Sequence, residues 1–139
     1  TTAESCTAGK LAGRIMNVAG ASEVYNEGYI TYANAAKEKL LGVKHETLET
    51  FGAVSEETAR EMAMGAAKEA GADAALSVTG IAGPGGGTPE KPVGLVYIGC
   101  YVQGEVYVKK CQFTGNRERN RDSSVVQALT FLREKLLDC

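Results

Sequence analysis

Apolar positions near the start of the chain recur with the period of an α-helix. They follow the i, i+3, i+4, i+7 spacing of a helix with one buried face, at Ala8, Leu11, Ala12, Ile15, Met16 and Ala19. We predict that this helix ends near Val18 and that Gly20 stops it. The few residues before Ser5 have the character of a strand end, so Ser5 lies at a strand-to-helix junction.

Cap and turn residues divide the rest of the chain into further elements. They predict a strand over 23–31, short helices over 35–41 and 45–51, a long helix over 56–70, a buried strand over 73–79, an antiparallel hairpin of 93–102 and 105–113, and a last helix from 120 to 137. Asn34 and Ser55 are the predicted N-caps of two helices, and Gly42 and Gly71 end them. The long helix has a buried stripe made mostly of alanine, which favours close packing on its support.

This order of elements is that of an α/β protein. We expect a single domain over residues 1–139, a three-layer α/β/α sandwich with a mixed sheet of about five strands, parallel in its first half and antiparallel in its C-terminal hairpin. Ligands bind such sheets outside the carboxyl ends of the parallel strands. Ser5, residues 32–37 and the glycine-rich loop 80–92 each follow a strand expected to be parallel, so they should meet at one edge.

Composition and charge narrow the class of protein. The 139 residues carry a net charge of −2 and are 44% hydrophobic, which is ordinary for a globular domain. Nothing indicates bulk binding to nucleic acid or to an anionic membrane, and no membrane span or signal peptide is visible. Because the chain starts inside what resembles a first strand, we expect that an N-terminal segment is missing or that this is an excised domain.

The four cysteines and the single histidine, His45, have no spacing typical of a zinc site. In the predicted hairpin, Val96 faces Cys111 and Cys100 faces Tyr107. Cys100 and Cys111 would then lie four rungs apart, roughly 13 Å at ~3.3 Å per residue, too far for a disulfide. We expect reduced thiols, a cytoplasmic location and no metal or other cofactor.

Ser5 and Lys37 each allow two interpretations. Ser5 is either an ordinary helix N-cap, which is the simpler interpretation of the local pattern, or a nucleophile or anion site among unpaired N–H groups. Lys37 is either a solvated lysine or one held beside Ser5 and partly desolvated, which lowers its pKa and makes it a general base. In the second case Tyr32 would relay the proton or fix the lysine.

Two other residues compete for a catalytic role. Cys6 is intrinsically a stronger nucleophile than Ser5, but it is expected to leave the strand end on the opposite, buried side. His45 has no evident acidic partner beyond Glu46, so a Ser-His-Asp triad is not predicted.

The loop after the buried strand is rich in glycine, at four of the five residues from Gly83 to Gly87. Peptide N–H groups in such a loop approach a ligand closely or form an anion nest. No Gly-Lys-Ser/Thr follows, and Pro89 and Pro92 block a helix, so it is neither a Walker A loop nor a dinucleotide-binding turn. The alternative is a plain connector, but compact domains rarely keep a loop of this length without a use.

Arg117, Arg119 and Arg121 lie at or just before the start of the last helix. Cations are unfavourable at that end of the helix dipole. Their placement is explained if they bind an anion such as a phosphate. The alternative is pairing with Glu118, Asp122 or a neighbouring subunit.

Several of these segments resemble the motifs of one family. The matches are residues 3–9 with AESCTGG, 32–37 with YSNxxK, 52–56 with GAVSE, 79–94 with TGIAGPGGGTPEKPVG and 115–121 with GDRxxxR. The chain is therefore identified as a member of the CinA C-terminal domain family over essentially its whole length. It departs from the motifs at Ala8, Ala33 and Asn116, where the family has Gly, Ser and Asp.

The resemblance implies a three-layer α/β/α fold and the activity of the family's enzymes, which are nicotinamide-nucleotide amidohydrolases. These deamidate nicotinamide mononucleotide to nicotinate mononucleotide and ammonia, in pyridine nucleotide salvage. By similarity, Ser5 is the nucleophile, and Lys37 and Tyr32 are its activating partners. The partner is then a small nucleotide substrate. Some members carry a second, fused domain. Family members usually have a helix and a full strand before the first motif, so the resemblance implies that this chain lacks that helix and part of the first strand. We also expect a homodimer or a higher homo-oligomer.

The predicted substrate contacts are mainly peptide N–H groups. We expect the oxyanion at Cys6 or Thr7, with help from the Thr79–Gly80 turn, and the phosphate at the loop and the arginines. The predicted binding residues are Cys6, Thr7, Gly9, Asn34, Thr79, Gly80, Gly83, Gly85, Gly86, Arg117, Arg119 and Arg121. Two alternatives stay open: a nucleotide-binding or regulatory module of the same fold without the chemistry, and a Ser-Lys amidase acting on another small amide.

Overall fold

The computed structural model describes all residues, 1–139, as a five-stranded sheet with helices on both faces. The strands are β1 (Thr2–Glu4), β2 (Tyr29–Ile30), β3 (Ala74–Gly80), β4 (Leu95–Val102) and β5 (Glu105–Gln112). They are ordered β2-β1-β3-β4-β5, with β1 parallel to both β2 and β3 and the remaining pairs antiparallel. The predicted mixed α/β sheet, parallel in its first half, is confirmed.

Helices form the two outer layers. They are α1 (Lys10–Ile15), α2 (Asn34–Leu41), α3 (His45–Phe51), α4 (Glu56–Ala70) and α5 (Arg117–Leu137), with a 3₁₀ turn at Ala21–Glu23. α1 and α5 cover one face of the sheet, α4 covers the other, and α2 and α3 pack beside α4. None of these helices combines the length and the apolar character that crossing a membrane requires.

Each face of the sheet has its own hydrophobic cluster. Leu76 and Val78 of β3 belong to the cluster under α5, whereas Ala75 belongs to the cluster under α4, as expected when side chains alternate along a strand. The alanine stripe of α4 lets this helix lie close to the sheet. The Ser77 hydroxyl donates to the Ala59 carbonyl of the helix at 2.6 Å.

The C-terminal hairpin has the predicted register. Val96 lies opposite Cys111, and Cys100 lies opposite Tyr107. All four cysteines are free thiols, and three of them are buried. The apolar alternation of two strands joined by a tight turn was therefore sufficient to set the pairing.

Two elements near the start of the chain are shorter than predicted. α1 ends at Ile15 rather than near Val18, and the strand expected over 23–31 is reduced to Tyr29–Ile30. The strand is short because β1 offers it only two partners, Ala3 and Glu4. Before it, Glu23 ends the 3₁₀ turn, Val24 lies in a turn, and residues 25–28 have no regular secondary structure.

Helix starts also differ from the predicted ones. Asn34 is the first residue of α2 rather than its N-cap, which is Ala33, whereas Ser55 caps α4 as predicted. α5 begins at Arg117 rather than near residue 120, because the Asn116 side chain accepts the Arg119 N–H at 2.8 Å and caps the helix there. The arginine-rich segment is therefore helical.

Candidate active site

Ser5 and Lys37 meet at the carboxyl edge of the parallel strands. Ser5 directly follows β1 and stays in register with the sheet by donating its N–H to the Val78 carbonyl at 3.0 Å. Lys37 lies at the start of α2, which follows β2. Because β1 and β2 are adjacent and parallel, the segments that leave them lie side by side. The Lys37 Nζ lies 3.0 Å from the Ser5 Oγ.

Lys37 is the largest fully buried side chain of the protein, with 1% of its surface exposed. No carboxylate pairs with it. Burial lowers the pKa of Lys37 from 10.5 to about 8, and the nearby Cys6 thiol acts weakly in the opposite direction. A substantial fraction of this amine is therefore neutral near pH 8, as a general base requires.

The Lys37 amine has two hydrogen-bond partners besides Ser5, both of them backbone carbonyls. It donates to the Thr31 carbonyl at 2.8 Å and to the Tyr32 carbonyl at 3.0 Å. A neutral amine has two N–H bonds and one lone pair. With both N–H bonds directed at carbonyls, the lone pair faces the Ser5 hydroxyl, which then donates its proton toward nitrogen.

Tyr32 contacts the lysine through its backbone rather than through its ring. Its carbonyl accepts a hydrogen bond from the Lys37 amine. The residue is 64% exposed, and its hydroxyl forms no hydrogen bond within the protein. Since Ser5 and Lys37 are in direct contact, proton transfer between them needs no relay. Tyr32 is also among the residues that line a cleft next to Ser5 and Lys37.

Ser5 does not cap α1, contrary to the simpler sequence interpretation. The N-cap is Gly9 in a left-handed conformation, with φ +97°, and residues 5–9 form turns between β1 and α1. The buried Glu4 carboxylate caps the helix instead, accepting the N–H groups of Leu11 at 2.9 Å and Ala12 at 3.0 Å. It also accepts the Thr7 hydroxyl at 2.6 Å. The helix is therefore anchored without using the Ser5 hydroxyl.

Sequence reasoning missed Glu4, which holds the turn that carries Ser5. The available signal was an acidic residue inside an apolar strand end, because buried glutamates occur only where their oxygens are paired. On the same face of the sheet, Arg121 of α5 donates to the Cys6 carbonyl at 2.8 Å and to the Thr7 carbonyl at 3.1 Å. The turn is thus held from the strand and from α5.

Two peptide N–H groups beside Ser5 have no acceptor within the protein, those of Cys6 and Thr7. Both residues are buried, and Cys6 lines the cleft. Buried N–H groups are normally paired, so these are suited to a ligand oxygen. The Cys6 thiol itself belongs to the hydrophobic cluster under α5, and burial raises its pKa to about 11, which opposes a role as nucleophile.

The three strand-end segments meet at one cleft, as the topology predicted. Its volume is about 200 Å³, and it is lined by Ser5, Cys6, Tyr32, Lys37, Ala53, Val54, Thr79, Gly80, Ala82 and Arg117. Thr79 donates its hydroxyl to the Ala53 carbonyl at 2.8 Å. Gly80 leaves no room for a side chain, since a Cβ there would lie 2.5 Å from the Val96 Cγ2.

The glycine loop is tied down by its carbonyl groups. Arg117 donates to the Gly83 carbonyl at 2.9 Å, and Asn120 donates to the Ala82 carbonyl at 3.0 Å. Several loop N–H groups have no acceptor in the protein, among them those of Ala82, Gly83, Gly85, Gly86 and Gly87. This arrangement fits the predicted anion nest.

The three predicted arginines lie in different places. Arg117 lines the cleft, Arg121 is engaged with the turn after Ser5, and Arg119 lines a separate groove on α5 with Phe113 and Val126. Of the other predicted binding residues, several do not line the cleft, namely Thr7, Gly9, Asn34, Gly83, Gly85 and Gly86. Arg119 lies two residues from each of the other arginines and therefore leaves α5 on a different side, which a linear motif does not reveal.

Ala8 adopts a strained backbone conformation, with φ +45°, where the family motif has glycine. The left-handed backbone region costs an L-residue about 1–2 kcal/mol. Glycine avoids this cost but loses more conformational entropy on folding, which offsets part of the gain. We expect Ala8→Gly to raise the free energy of unfolding by about 0.5–1 kcal/mol. Ala36→Gly, in regular α2, should lower it by a similar amount. Urea denaturation measures both, and destabilisation by Ala8→Gly would contradict the strain.

Fold and site together define a class, an α/β domain with a buried serine–lysine pair at the carboxyl edge of its sheet. The family model of the CinA C-terminal domain matches residues 1–136, and the chain belongs to this family. Its solved relatives share the fold. CihA, a competence/damage inducible protein from Agrobacterium tumefaciens, is 47% identical with a TM-score of 0.93, over 96% of this chain and 82% of that one.

Other relatives agree with this assignment. The competence damage-inducible protein A of Klebsiella pneumoniae is 40% identical with a TM-score of 0.94, over 98% of this chain and 84% of that one. By sequence, a CinA-like protein of Kosmotoga olearia is 62% identical over 137 residues, 99% of this chain and 33% of that protein. A putative competence-damage inducible protein of Clostridium perfringens is 57% identical over 98% of this chain. The chain spans about a third (33%) of the length of these sequence relatives.

Proposed function

We propose that this domain is an amidohydrolase that deamidates nicotinamide mononucleotide to nicotinate mononucleotide and ammonia. The observation that carries the proposal is the 3.0 Å contact between the Ser5 hydroxyl and a lysine amine that is buried and has no carboxylate partner. A serine–lysine pair of this kind performs acyl transfer. The choice of substrate rests on membership of the CinA C-terminal domain family and on the resemblance of the motifs.

In the first step, Ser5 attacks the carboxamide. The neutral Lys37 amine takes the proton of the Ser5 hydroxyl, and the Oγ forms a bond with the carboxamide carbon. The carbonyl oxygen becomes an oxyanion and accepts the unpaired N–H group of Cys6, a residue that lines the cleft.

In the second step, ammonia leaves. The Lys37 ammonium passes its proton to the carboxamide nitrogen, the C–N bond breaks, and the acyl group remains as an ester on Ser5. Lys37 then takes a proton from water, whose oxygen attacks the ester carbon. When the ester bond breaks, that proton returns to the Ser5 Oγ, and the carboxylic acid is released and ionises in solvent.

The nucleotide phosphate would be bound at the mouth of the cleft. Arg117 lines the cleft and supplies a positive charge, and the loop supplies N–H groups that have no protein acceptor. Both kinds of donor bind phosphate oxygens well. This assignment places the reacting carboxamide inside the cleft and the phosphate outside it.

A coupled ammonia assay on the purified protein tests the proposal. We expect ammonia release from nicotinamide mononucleotide and formation of nicotinate mononucleotide in equal amounts. Free nicotinamide and asparagine serve as control amides without the nucleotide. Binding of nicotinamide mononucleotide without ammonia release would favour a nucleotide-binding module, and release from another amide only would favour a different amidase.

A further inference from the structure

Asn120 is a buried polar residue whose side chain bonds to two backbone groups outside α5. It lies in α5, has 1% of its surface exposed, and belongs to none of the surfaces that line the cleft. Its Nδ2 donates to the Ala82 carbonyl at 3.0 Å, and its Oδ1 accepts the Gly115 N–H at 2.9 Å. The Gly115 contact fixes which end of the amide faces Ala82, since only the other end carries donors.

The bond from Asn120 sets the direction of the next peptide N–H. Ala82 and Gly83 are joined by a trans peptide, in which the C=O and the following N–H point in opposite directions. With the Ala82 carbonyl held toward Asn120, the Gly83 N–H points away from Asn120. Gly83 is buried, yet this N–H has no acceptor in the protein. A buried N–H without a partner is rare, so a ligand or an ordered water is expected to accept it.

Arg117 places a positive charge beside this N–H group. Its guanidinium donates to the Gly83 carbonyl at 2.9 Å and lines the cleft with Ser5. Arg117 and Asn120 are three residues apart and so lie on one face of α5. From that face they hold two successive carbonyls of the loop, at Ala82 and Gly83, and leave the N–H side of the loop free.

We propose that Asn120 is a positioning residue for anion recognition, which holds the Ala82 carbonyl back so that the Gly83 N–H binds the substrate phosphate beside Arg117. This inference rests on the proposed function for the identity of the ligand. It predicts that Asn120 affects recognition of the phosphate and not the chemistry at Ser5, because Asn120 does not line the cleft that holds Ser5.

Asn120→Asp is the sharpest test, because it keeps the acceptor for Gly115 and replaces the donor to Ala82 by an oxygen. Asn120→Ser introduces no buried charge, and its hydroxyl is too short to replace the Nδ2 bond to the Ala82 carbonyl, so this variant separates the loss of that bond from the effect of a charge. Ser124→Ala is the matched control. It removes a buried hydroxyl one turn further along α5, whose only bond is to the Asn120 carbonyl at 2.7 Å and not to the loop.

The measurement compares nicotinamide mononucleotide with nicotinamide riboside, which lacks the phosphate. In both Asn120 variants we expect KM for the mononucleotide to rise at least about tenfold, the effect of one hydrogen bond to a charged group. The kcat should stay within about threefold, and kcat/KM for the riboside should not change. Ser124→Ala should leave all three values at the wild-type level.

Calorimetric titration with the mononucleotide makes the inference independent of turnover. If wild type binds it without releasing ammonia, the proposed function fails, and the inference still requires Kd to rise at least about tenfold in the Asn120 variants. Equal losses for mononucleotide and riboside, or a fall in kcat with unchanged KM, would overturn it in favour of a purely structural role. Wild-type affinity in folded Asn120→Ser would also overturn it.

Discussion

Ser5→Ala should lower the rate of ammonia release from nicotinamide mononucleotide by at least about 10³-fold, because it removes the atom that bonds to the substrate. The Kd for the mononucleotide should change little, since the hydroxyl acts on the carboxamide carbon and the phosphate contacts stay intact. The fold should also remain, because the only side-chain hydrogen bond of Ser5 is the one with Lys37. Steady-state kinetics and calorimetry measure the two effects separately.

Ser77→Ala is the matched control for this variant. Ser77 lies on β3, is fully buried, and contacts the Ala59 carbonyl and the Gly99 N–H rather than the cleft. Its loss should cost about 1–3 kcal/mol of stability and leave kcat/KM nearly unchanged. Ammonia release at the wild-type rate by Ser5→Ala would refute the mechanism, whatever the control shows.

Lys37 should make kcat/KM depend on pH with an apparent pKa of about 8, the value that burial gives this amine. Only the neutral amine accepts the Ser5 proton, so kcat/KM should be level above that pKa and fall about tenfold for each pH unit below it. Lys37→Arg keeps a cation in place but stays protonated, so activity should fall at least about 10³-fold at every pH. Profiles between about pH 6.5 and 9.5 test this.

The same shift predicts how stability depends on pH. The folded-state pKa of Lys37 is about 8 and the unfolded one 10.5, so between these values the unfolded chain binds more protons. The free energy of unfolding should therefore rise with pH across this window, by up to about 3 kcal/mol relative to Lys37→Met. Below pH 8 Lys37 is protonated in both the folded and the unfolded chain, so the full free-energy cost of burying its charge remains.

Lys37→Met isolates this contribution, because every other titrating group is common to both proteins. Urea denaturation of the two proteins from pH 7 to 10.5 gives the difference. A constant difference over this range would show that Lys37 titrates normally, and the assignment of Lys37 as general base would then have to be abandoned.

Residues whose position follows from periodicity or topology were predicted well. The hairpin register followed from the alternation of apolar and polar residues, because a slip by one residue would move every buried side chain to the solvent face. The meeting of Ser5 and Lys37 followed from the parallel order of β1 and β2, because the segments that leave parallel strands share one edge. Both arguments use only backbone geometry, which a single sequence reveals through its hydrophobic pattern.

Roles that depend on a side chain's partner were predicted less well. The N-cap role considered for Ser5 is filled by the Glu4 carboxylate, which takes the first helical N–H groups. Arg121 was one of three arginines predicted as phosphate ligands, and its bonds to the carbonyls after Ser5 were not foreseen. Asn120 carried no signal at all. Some of these contacts join residues that the sequence alone does not show to be neighbours. In others, a second residue nearby in the sequence could have filled the same role.

The amino-acid sequence by itself determined the α/β class, the order of the elements and the pairing of a serine with a lysine at one rim of the sheet. Only the tertiary structure decided that Lys37 is buried without a carboxylate partner, and which carbonyls accept hydrogen bonds from its amine. The physical reason is that desolvation and hydrogen-bond direction depend on everything packed around a group. Periodicity along the chain records only which face of an element is buried.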